Sequence, residues 1–189
     1  EQKYSIITAI DVTFGHSGKV IFTAVVKPIT LGGVTVSRAK IASYDFIVKN
    51  NLNIGAEVKL VRSGEVIPKI LAVSLSGPES THYMPDFTFE RRGADIYVLD
   101  KNILESSVRI SRFVRFFKFL DLDGLKEATI ASILNVIEHY KGKDGKPDRY
   151  IPVKSNIDLI SRTLKSESKL CSALGPTRGK NIIKALRSL

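Results

Sequence analysis

Residues 31–70 constrain the fold of this chain more than any other stretch. Apolar residues alternate with polar or small ones at both of its ends, so each end is predicted to be a half-buried β-strand. The alternating apolar residues are Val34, Val36, Val58 and Leu60. Residues 43–50 lie between them and offer a serine N-cap with room for only a short helix. This order indicates a small closed barrel, for which a five-stranded OB-fold is the natural candidate.

The composition is that of a folded chain. Its 189 residues, 43% of them hydrophobic, can bury a core as one domain or as two small ones. No run approaches the roughly 20 apolar residues that a membrane helix needs, and the N-terminus lacks a basic-then-apolar signal pattern. The single cysteine, Cys171, excludes an internal disulfide or a cysteine-built zinc site and fits a reducing compartment. These features predict a soluble intracellular protein.

The formal net charge of +10 favours a polyanionic partner, because a basic chain binds phosphates and releases their counterions. Lys and Arg number nine against five Asp and Glu in residues 1–77, three against six in residues 78–105, and seventeen against eight in residues 106–189. The three segments therefore carry +4, −3 and +9. Two interpretations remain open: a basic soluble protein, or two nucleic-acid-contacting modules joined by an acidic connector.

Three runs, residues 31–39, 54–58 and 62–68, closely resemble the OB domain of NAD-dependent DNA ligases. They read Leu-Gly-Gly-Val-Thr-Val-Ser-Arg-Ala, Ile-Gly-Ala-Glu-Val and Arg-Ser-Gly-Glu-Val-Ile-Pro. The resemblance is strong over residues 15–77 and loose over 78–189. In that family the OB domain is followed by a four-cysteine zinc module, helix-hairpin-helix repeats and a BRCT domain, so the rest of the chain is expected to resemble some of these parts.

An opening β-hairpin is predicted from two β-rich runs, residues 4–14 and 19–29, joined by a turn of glycine-rich composition. In the ligase family this turn usually reads Gly-Arg-Thr-Gly and touches the DNA backbone, so the resemblance places His16 and Ser17 at that contact. Imidazole lacks the permanent charge and the bidentate fork of guanidinium, and we expect a weaker phosphate contact. The alternative is a solvated turn.

The resemblance also assigns residues to a DNA-facing surface of the barrel. Arg38 is either an exposed strand charge or a structural or DNA-facing residue. Gly64 permits a tight turn that separates Arg62 from the apolar pair Val66 and Ile67. In ligases that resemble this chain, the arginine and the apolar pair press into the minor groove around the nick, which favours a distorted groove. The alternative places the apolar pair in the barrel core.

Residues 78–105 stand where the family has its zinc module. The position of the family's first cysteine pair is taken here by Tyr83, Met84, Pro85 and Asp86. The position of the second pair is taken roughly by Asp100 and Glu105. Zinc needs four soft or borderline ligands, which these residues do not supply, so the segment is expected to be a connector without a metal. A small apolar cluster of Tyr83, Phe87, Phe89, Ile96 and Tyr97 is expected in its place.

From Ser106 onward the apolar period becomes helical. Arg109, Arg112, Arg115 and Lys118 recur every three residues, so the cations form an inclined stripe on the predicted helix. Such a stripe is either a solvated face or a face that follows phosphates.

Residues 119–134 resemble a helix-hairpin-helix unit, whose backbone N–H groups at a glycine hairpin bind one phosphate. The usual Gly-hydrophobic-Gly is replaced by Gly124-Leu125-Lys126, so Lys126 would bind phosphate by charge. A second, weaker candidate hairpin spans residues 174–180. Residues 141–146 lack the Lys-x-Asp-Gly spacing of an adenylated lysine and are interpreted as a solvated loop.

The sequence therefore predicts an α+β multidomain chain with three segments. They are a five-stranded OB-fold β-barrel (1–77), a connector (78–105) and a small helical helix-hairpin-helix domain (106–189). The three histidines are scattered, no serine, histidine and acid are arranged for nucleophilic chemistry, and no catalytic or metal-binding residue is assigned.

The resemblance implies the DNA-binding clamp of an NAD-dependent DNA ligase, either a natural subunit, as in some phages, or a fragment. Its partners would be nicked double-stranded DNA and a separate nucleotidyltransferase chain that binds NAD. No cofactor is expected in this chain, and the location would be a bacterial or phage-infected host cytoplasm. The alternatives are a stand-alone binder that resembles the RuvA family of Holliday-junction-binding proteins, and an inactive adaptor whose OB face binds protein.

Overall fold

The computed structural model describes residues 1–61, 68–78, 81–120, 122, 125–140 and 149–189. The chain divides into two compact units, Glu1–Val108 and Arg109–Leu189. Residues 78–108, which include the expected connector, therefore belong to the same compact unit as the barrel.

The first unit is built on a closed barrel of five strands in the order β1-β2-β3-β5-β4. The strands are β1 (Gln2–Phe14), β2 (Val20–Leu31), β3 (Val34–Lys40), β4 (Glu57–Val61) and β5 (Lys69–Leu75). β4 pairs with β1, and the parallel pairing of β3 with β5 closes the barrel. This strand order, with a helix between β3 and β4, confirms the predicted OB-fold.

Alternation of apolar and polar residues explains why these segments form a barrel. Along β2, Val20, Phe22, Ala24 and Val26 are buried, whereas the residues between them face outward. The inward side chains of all five strands form one core, so a register slip of one residue would expose it.

Helix α1 (Tyr44–Lys49) covers one end of the barrel core through its two buried residues, Tyr44 and Ile47. It begins where Ser43 is extended and accepts a hydrogen bond from the Phe46 amide, an N-cap that the sequence predicts. Burial raises the pKa of the Tyr44 phenol, an effect that the nearby positive charge of Arg91 opposes.

Residues 81–108 pack against the barrel with an aromatic cluster. The segment contains the hairpin β6 (Phe89–Arg92) and β7 (Asp95–Val98), the short helix α2 (Lys101–Ile103) and a π-helical turn (Leu104–Val108). Phe89 meets the Tyr44 ring at 5.6 Å between centroids, and Phe87 meets Phe14 at 5.4 Å. Tyr83 and Ile96 also join the barrel core, whereas the Tyr97 ring lies under the Arg92 guanidinium.

The second unit is helical and has its own core. Its helices are α3 (Arg109–Phe119), α4 (Glu127–Glu138), α5 (Asn156–Lys165), α6 (Glu167–Leu174) and α7 (Pro176–Arg187). α4 is the central helix and buries Ile130, Ile133, Leu134 and Ile137. Two short strands, β8 (His139–Tyr140) and β9 (Arg149–Tyr150), pair after it. No helix in the described part of the chain is long and apolar enough to cross a membrane.

Candidate nucleic-acid interface

The turn between β1 and β2 presents His16 and Ser17 to solvent. The Gly18 amide donates to the Gly15 carbonyl at 2.8 Å, and the Gly15 amide donates to the Lys19 carbonyl at 2.9 Å. Gly18 has a φ of +84°, a conformation that glycine adopts without strain. The Val98 amide of β7 donates to the Gly18 carbonyl at 3.0 Å, so the base of the turn is held from outside the hairpin.

Strand register aligns four outward residues across the barrel, which we call the outer row: Asp11, Thr23, Lys40 and Lys69. Asp11 of β1 pairs with Thr23 of β2, Thr23 pairs with Lys40 of β3, and Lys40 pairs with Lys69 of β5. Both lysines are exposed and make no ion pair with any residue that the structure describes. The outer row therefore places two positive charges side by side across the β3–β5 pair. This pair adjoins the β2–β3 face, which OB-folds use to bind oligonucleotides.

Lys40 also marks the place where the β4–β5 connection returns to the barrel. Its amide donates to the Pro68 carbonyl at 2.8 Å, and Val61, the last residue of β4, pairs with Lys69. Both ends of the connection are thus anchored beside the two lysines. Because OB-folds bind ligands with the connections that follow β1 and β4, the outer row lies on the side of the barrel where such ligands bind.

Arg38 projects from the same face but is not an isolated charge. Its guanidinium forms an ion pair with Asp11, and both side chains are more than two-fifths exposed. An exposed pair of this kind contributes little stability, about 0–1 kcal/mol. The main effect of the ion pair is to hold the Arg38 guanidinium next to the outer row and to offset its positive charge with the negative charge of Asp11.

A cleft of about 260 Å³ lies next to the outer row, between the beginning of β2 and the end of β3. Lys40 and Ser43 line it together with the ion pair of Lys19 and Asp95, whose Nζ and Oδ2 atoms are 2.5 Å apart. The cleft lies between the outer row and the base of the β1–β2 turn. Apolar residues of β2 and of the chain just after β3 form the rest of its lining, so it combines a few polar groups with an apolar surface.

Four residues of the expected interface, Arg62, Val66, Ile67 and Gly124, lie outside the described residues. Their assignment to DNA stays a prediction from the resemblance. The roles of His16, Ser17, Arg38, Arg112, Arg115 and Lys126 also stay predictions, and only their positions are known here.

The cationic stripe of α3 is divided between an inward and an outward part. Arg112, Arg115 and Lys118 are exposed. Arg109 instead turns inward, where its Nη1 and Nη2 atoms donate to the two carboxylate oxygens of Glu138 at 3.0 and 2.9 Å. Burial lowers the pKa of Arg109. The hydrogen bonds to Glu138 and the attraction of its charge have the larger combined effect, so the pKa of Arg109 is raised above its ordinary value. The guanidinium of Arg109 is thus used inside the helical unit.

Glu138 holds together several elements of the helical unit. It is only 3% exposed at the end of α4, and it receives the Val153 amide and, at 3.3 Å, the Tyr150 hydroxyl in addition to Arg109. A buried carboxylate needs such a full set of donors. No local sequence pattern indicates this network, because the partners of Glu138 lie 12 to 29 residues from it along the chain.

Helices α3 and α4 lie on either side of the first hairpin predicted from the resemblance, whose glycine, Gly124, is outside the described residues. α4 starts at Glu127, and the Lys126 carbonyl accepts the Thr129 and Ile130 amides at 2.9 and 3.0 Å. The Lys126 side chain is exposed and makes no capping hydrogen bond. A lysine at this position adds positive charge to the N-terminal end of a helix, where anions are favoured.

Helices α6 and α7 form the second hairpin, and they approach each other very closely. Gly175 turns the chain with a φ of +87°, and Pro176 begins α7. A Cβ atom on Gly179 would lie 2.8 Å from the Cα and Sγ atoms of Cys171 on α6. The helix backbones can therefore pack at this distance only with glycine at 179. Arg178 ties the hairpin to α4 by donating to the Thr129 hydroxyl.

The positions expected in place of zinc ligands hold no metal-binding cluster. Within the described ranges, no group of three or more His, Cys, Asp and Glu side chains could hold a metal ion. Tyr83 packs against the barrel core, and Asp100 caps α2 by accepting the Asn102 amide at 2.9 Å.

These features first define a class: an OB-fold domain joined to a unit of helical hairpins. Within this class, residues 4–81 match the NAD-dependent DNA ligase OB-fold domain. Over 98% of its length the chain is 28% identical to a DNA ligase of Syntrophomonas wolfei, of which it covers 28%. It is 46% identical over 76 residues to a DNA ligase of Solibacter usitatus, and 29% identical over 143 residues to one of Finegoldia magna.

The match concerns the barrel in particular. Residues 4–81 are similar to the NAD-dependent DNA ligase OB-fold domain, and the chain as a whole is similar to a C-terminal part of such ligases. The alignment with the Solibacter ligase includes 40% of this chain and 12% of that ligase. The alignment with the Finegoldia ligase includes 71% of this chain and 22% of that ligase. The matched part of the chain thus spans between 12% and 28% of the length of these three relatives.

Proposed function

We propose that this chain is the DNA-gripping part of an NAD-dependent DNA ligase. It holds nicked duplex DNA and positions the 5′-phosphate and the 3′-hydroxyl for a separate nucleotidyltransferase chain. That chain would bind NAD and carry the adenylated lysine, since no Lys-x-Asp-Gly run occurs in this sequence.

The outer row is the observation that carries the proposal. Lys40 and Lys69 are neighbours across the β3–β5 pair, exposed, and located where the β4–β5 connection joins the barrel. Two lysines at this spacing neutralise adjacent phosphates, and Thr23 between Lys40 and Asp11 adds a hydroxyl donor. The relatives that bear the name DNA ligase support a duplex with a nick as the ligand.

The contribution of such a chain is positioning. Sealing requires the two DNA ends to be held in line, and binding energy from remote phosphate contacts serves this purpose. The exposed cations Arg112, Arg115 and Lys118 of the helical unit extend the basic surface available to the duplex backbone. Most of the affinity is therefore electrostatic and should fall steeply with salt.

The test is a sealing assay on nicked duplex with this chain and a separately produced NAD-dependent nucleotidyltransferase chain from the same source. We expect sealing to require both chains. Lys40→Ala/Lys69→Ala should lower duplex affinity at least tenfold and reduce the slope of log affinity against log salt by about 2, one unit for each phosphate contact. Arg62→Ala, which removes the arginine assigned to the minor groove by resemblance, should also lower sealing sharply.

Lys49→Ala is the matched control. Lys49 is an exposed lysine on α1 that pairs with Asp45 at 2.7 Å, away from the outer row. Its removal should change neither the salt slope nor sealing. If the other chain seals fully by itself while this chain still binds DNA, the chain is a stand-alone binder, and four-way junction DNA is the next ligand to test. If this chain has no affinity for DNA, both interpretations are wrong.

A further inference from the structure

A basic groove of about 510 Å³ lies where α5 ends and α6 begins, and we call it the α5–α6 groove. Its lining residues are Arg162, Lys165, Ser166, Ser168 and Lys169. All five are cationic or carry a hydroxyl. It lies apart from the glycine hairpins, since it is formed by the α5–α6 corner and not by the turn that begins at Gly175.

Arg162 is held in a fixed orientation at the edge of this groove. Its Nε atom donates to Asp158 at 2.7 Å, and its Nη1 atom donates to the Ile151 carbonyl at 2.9 Å. The Lys154 amide and Arg162 keep the pKa of Asp158 below its ordinary value, so this carboxylate stays ionised at neutral pH. The remaining N–H groups of a guanidinium fixed in this way are oriented before a ligand arrives.

Three cationic side chains line the groove. One of them, Arg162, forms an ion pair with Asp158. The next carboxylate along the chain, Glu167, pairs with Arg187 of α7 at 2.9 Å. Lys165 and Lys169 lie four residues apart across the α5–α6 corner, and both are exposed. The groove therefore combines three cationic side chains with two hydroxyl donors, a combination that suits phosphate oxygens.

We propose that the α5–α6 groove binds the phosphate backbone of the same duplex, as an anchoring site distinct from the glycine hairpins. This inference rests on the proposed function. α6 has eight residues and is therefore about 12 Å long. Consecutive nucleotides of one DNA strand rise about 3.4 Å, so this length corresponds to three or four nucleotides. One strand can therefore engage both the α6–α7 hairpin and the groove.

The experiment compares the salt dependence of binding to a fluorescent nicked duplex by fluorescence anisotropy. Lys165→Ala/Lys169→Ala should weaken binding at least fivefold near physiological salt and reduce the slope of log affinity against log salt by about 2. Both side chains are exposed, so circular dichroism should show an unchanged fold. Lys154→Ala is the matched control, because it removes an exposed lysine of the same unit that does not line the groove.

The outcomes separate this inference from the proposed function. If the unmodified chain fails to bind the duplex, the proposed function is wrong. If the unmodified chain binds and the double variant retains its salt slope, the groove makes no phosphate contact and the inference is wrong. The inference is also wrong if each lysine removed, whether Lys154 or one of the two groove lysines, reduces the salt slope by the same amount. The effect would then depend on net charge alone and not on the groove.

Discussion

At the scale of single residues, Arg109 and Glu138 show that a cation predicted on a helix surface can be used inside the fold. Arg109 has the same spacing as Arg112 and Arg115, so periodicity alone cannot distinguish it from them. Its acceptor is 29 residues away along the chain. Only the packing of α3 against α4 determines which arginine faces inward.

Removal of the Glu138 carboxylate should destabilise the helical unit. Glu138→Ala leaves the guanidinium of Arg109 in a largely buried position without its partner, and we expect a loss of about 3 kcal/mol in the free energy of unfolding. The measurement is urea unfolding followed by circular dichroism at the helical band. Glu127→Ala, which removes an exposed carboxylate from the first turn of the same helix, should cost less than about 1 kcal/mol. Equal stabilities of the two variants would contradict a central role for Glu138.

At the scale of elements, hydrophobic period and capping residues predicted much of the fold. Alternation placed β3 and β4 at the two ends of the stretch at residues 31–70, and Ser43 marked the start of α1. These signals are local, and a single sequence contains them. The outer row and the ion pair of Arg38 with Asp11 depend on strand register, which joins residues from different strands. The sequence therefore indicated a DNA-facing arginine but neither Lys40 nor Lys69.

The hairpins illustrate the same limit. The sequence predicted the first hairpin because Gly124-Leu125-Lys126 differs from the usual Gly-hydrophobic-Gly pattern at only its last position. The close approach of α6 and α7 was not foreseen, since the distance between Gly179 and Cys171 is a tertiary feature. The DNA contacts assigned by resemblance remain predictions.

Gly179→Ala tests the α6–α7 hairpin. The new methyl group would meet the Cys171 backbone at 2.8 Å, so the two helices must separate. We expect a loss of about 1–3 kcal/mol, as for an overpacked core, together with weaker duplex binding. Thermal unfolding and fluorescence anisotropy measure the two effects.

A second glycine provides the comparison for Gly179→Ala. Gly15→Ala, where a Cβ would have its nearest neighbour at 3.6 Å, should be tolerated far better. A Gly179→Ala protein as stable as the unmodified chain would show that the helices do not depend on this close contact.

At the scale of the whole molecule, the segment expected in place of a zinc module is held by aromatic packing within the first unit. Phe22, Tyr44, Tyr83, Phe87 and Phe89 form successive ring contacts between this segment and the barrel. Apolar burial of this kind needs no metal ion to maintain it.

The stability of the first unit should therefore respond to aromatic truncation and not to chelation. Incubation with EDTA should leave its melting temperature unchanged. Phe89→Ala should cost about 2 kcal/mol, because Phe89 is half-buried and loses its contacts with Tyr44 and Phe87. Differential scanning calorimetry measures both effects. Leu75→Ala, which truncates a side chain that is 66% exposed, is the control and should have little effect. A fall in melting temperature with EDTA would contradict a metal-free segment.

The barrel closes between β3 and β5 through one described residue pair, Lys40 and Lys69, next to the hydrogen bond from the Lys40 amide to Pro68. A sheet opens most readily where its pairing is shortest. The exchange rate of the Lys40 amide hydrogen with deuterium therefore reports how often this seam opens. The seam adjoins the two lysines of the outer row, so a duplex bound there would slow the same exchange. One backbone hydrogen thus records both the integrity of the barrel and the occupancy of its surface.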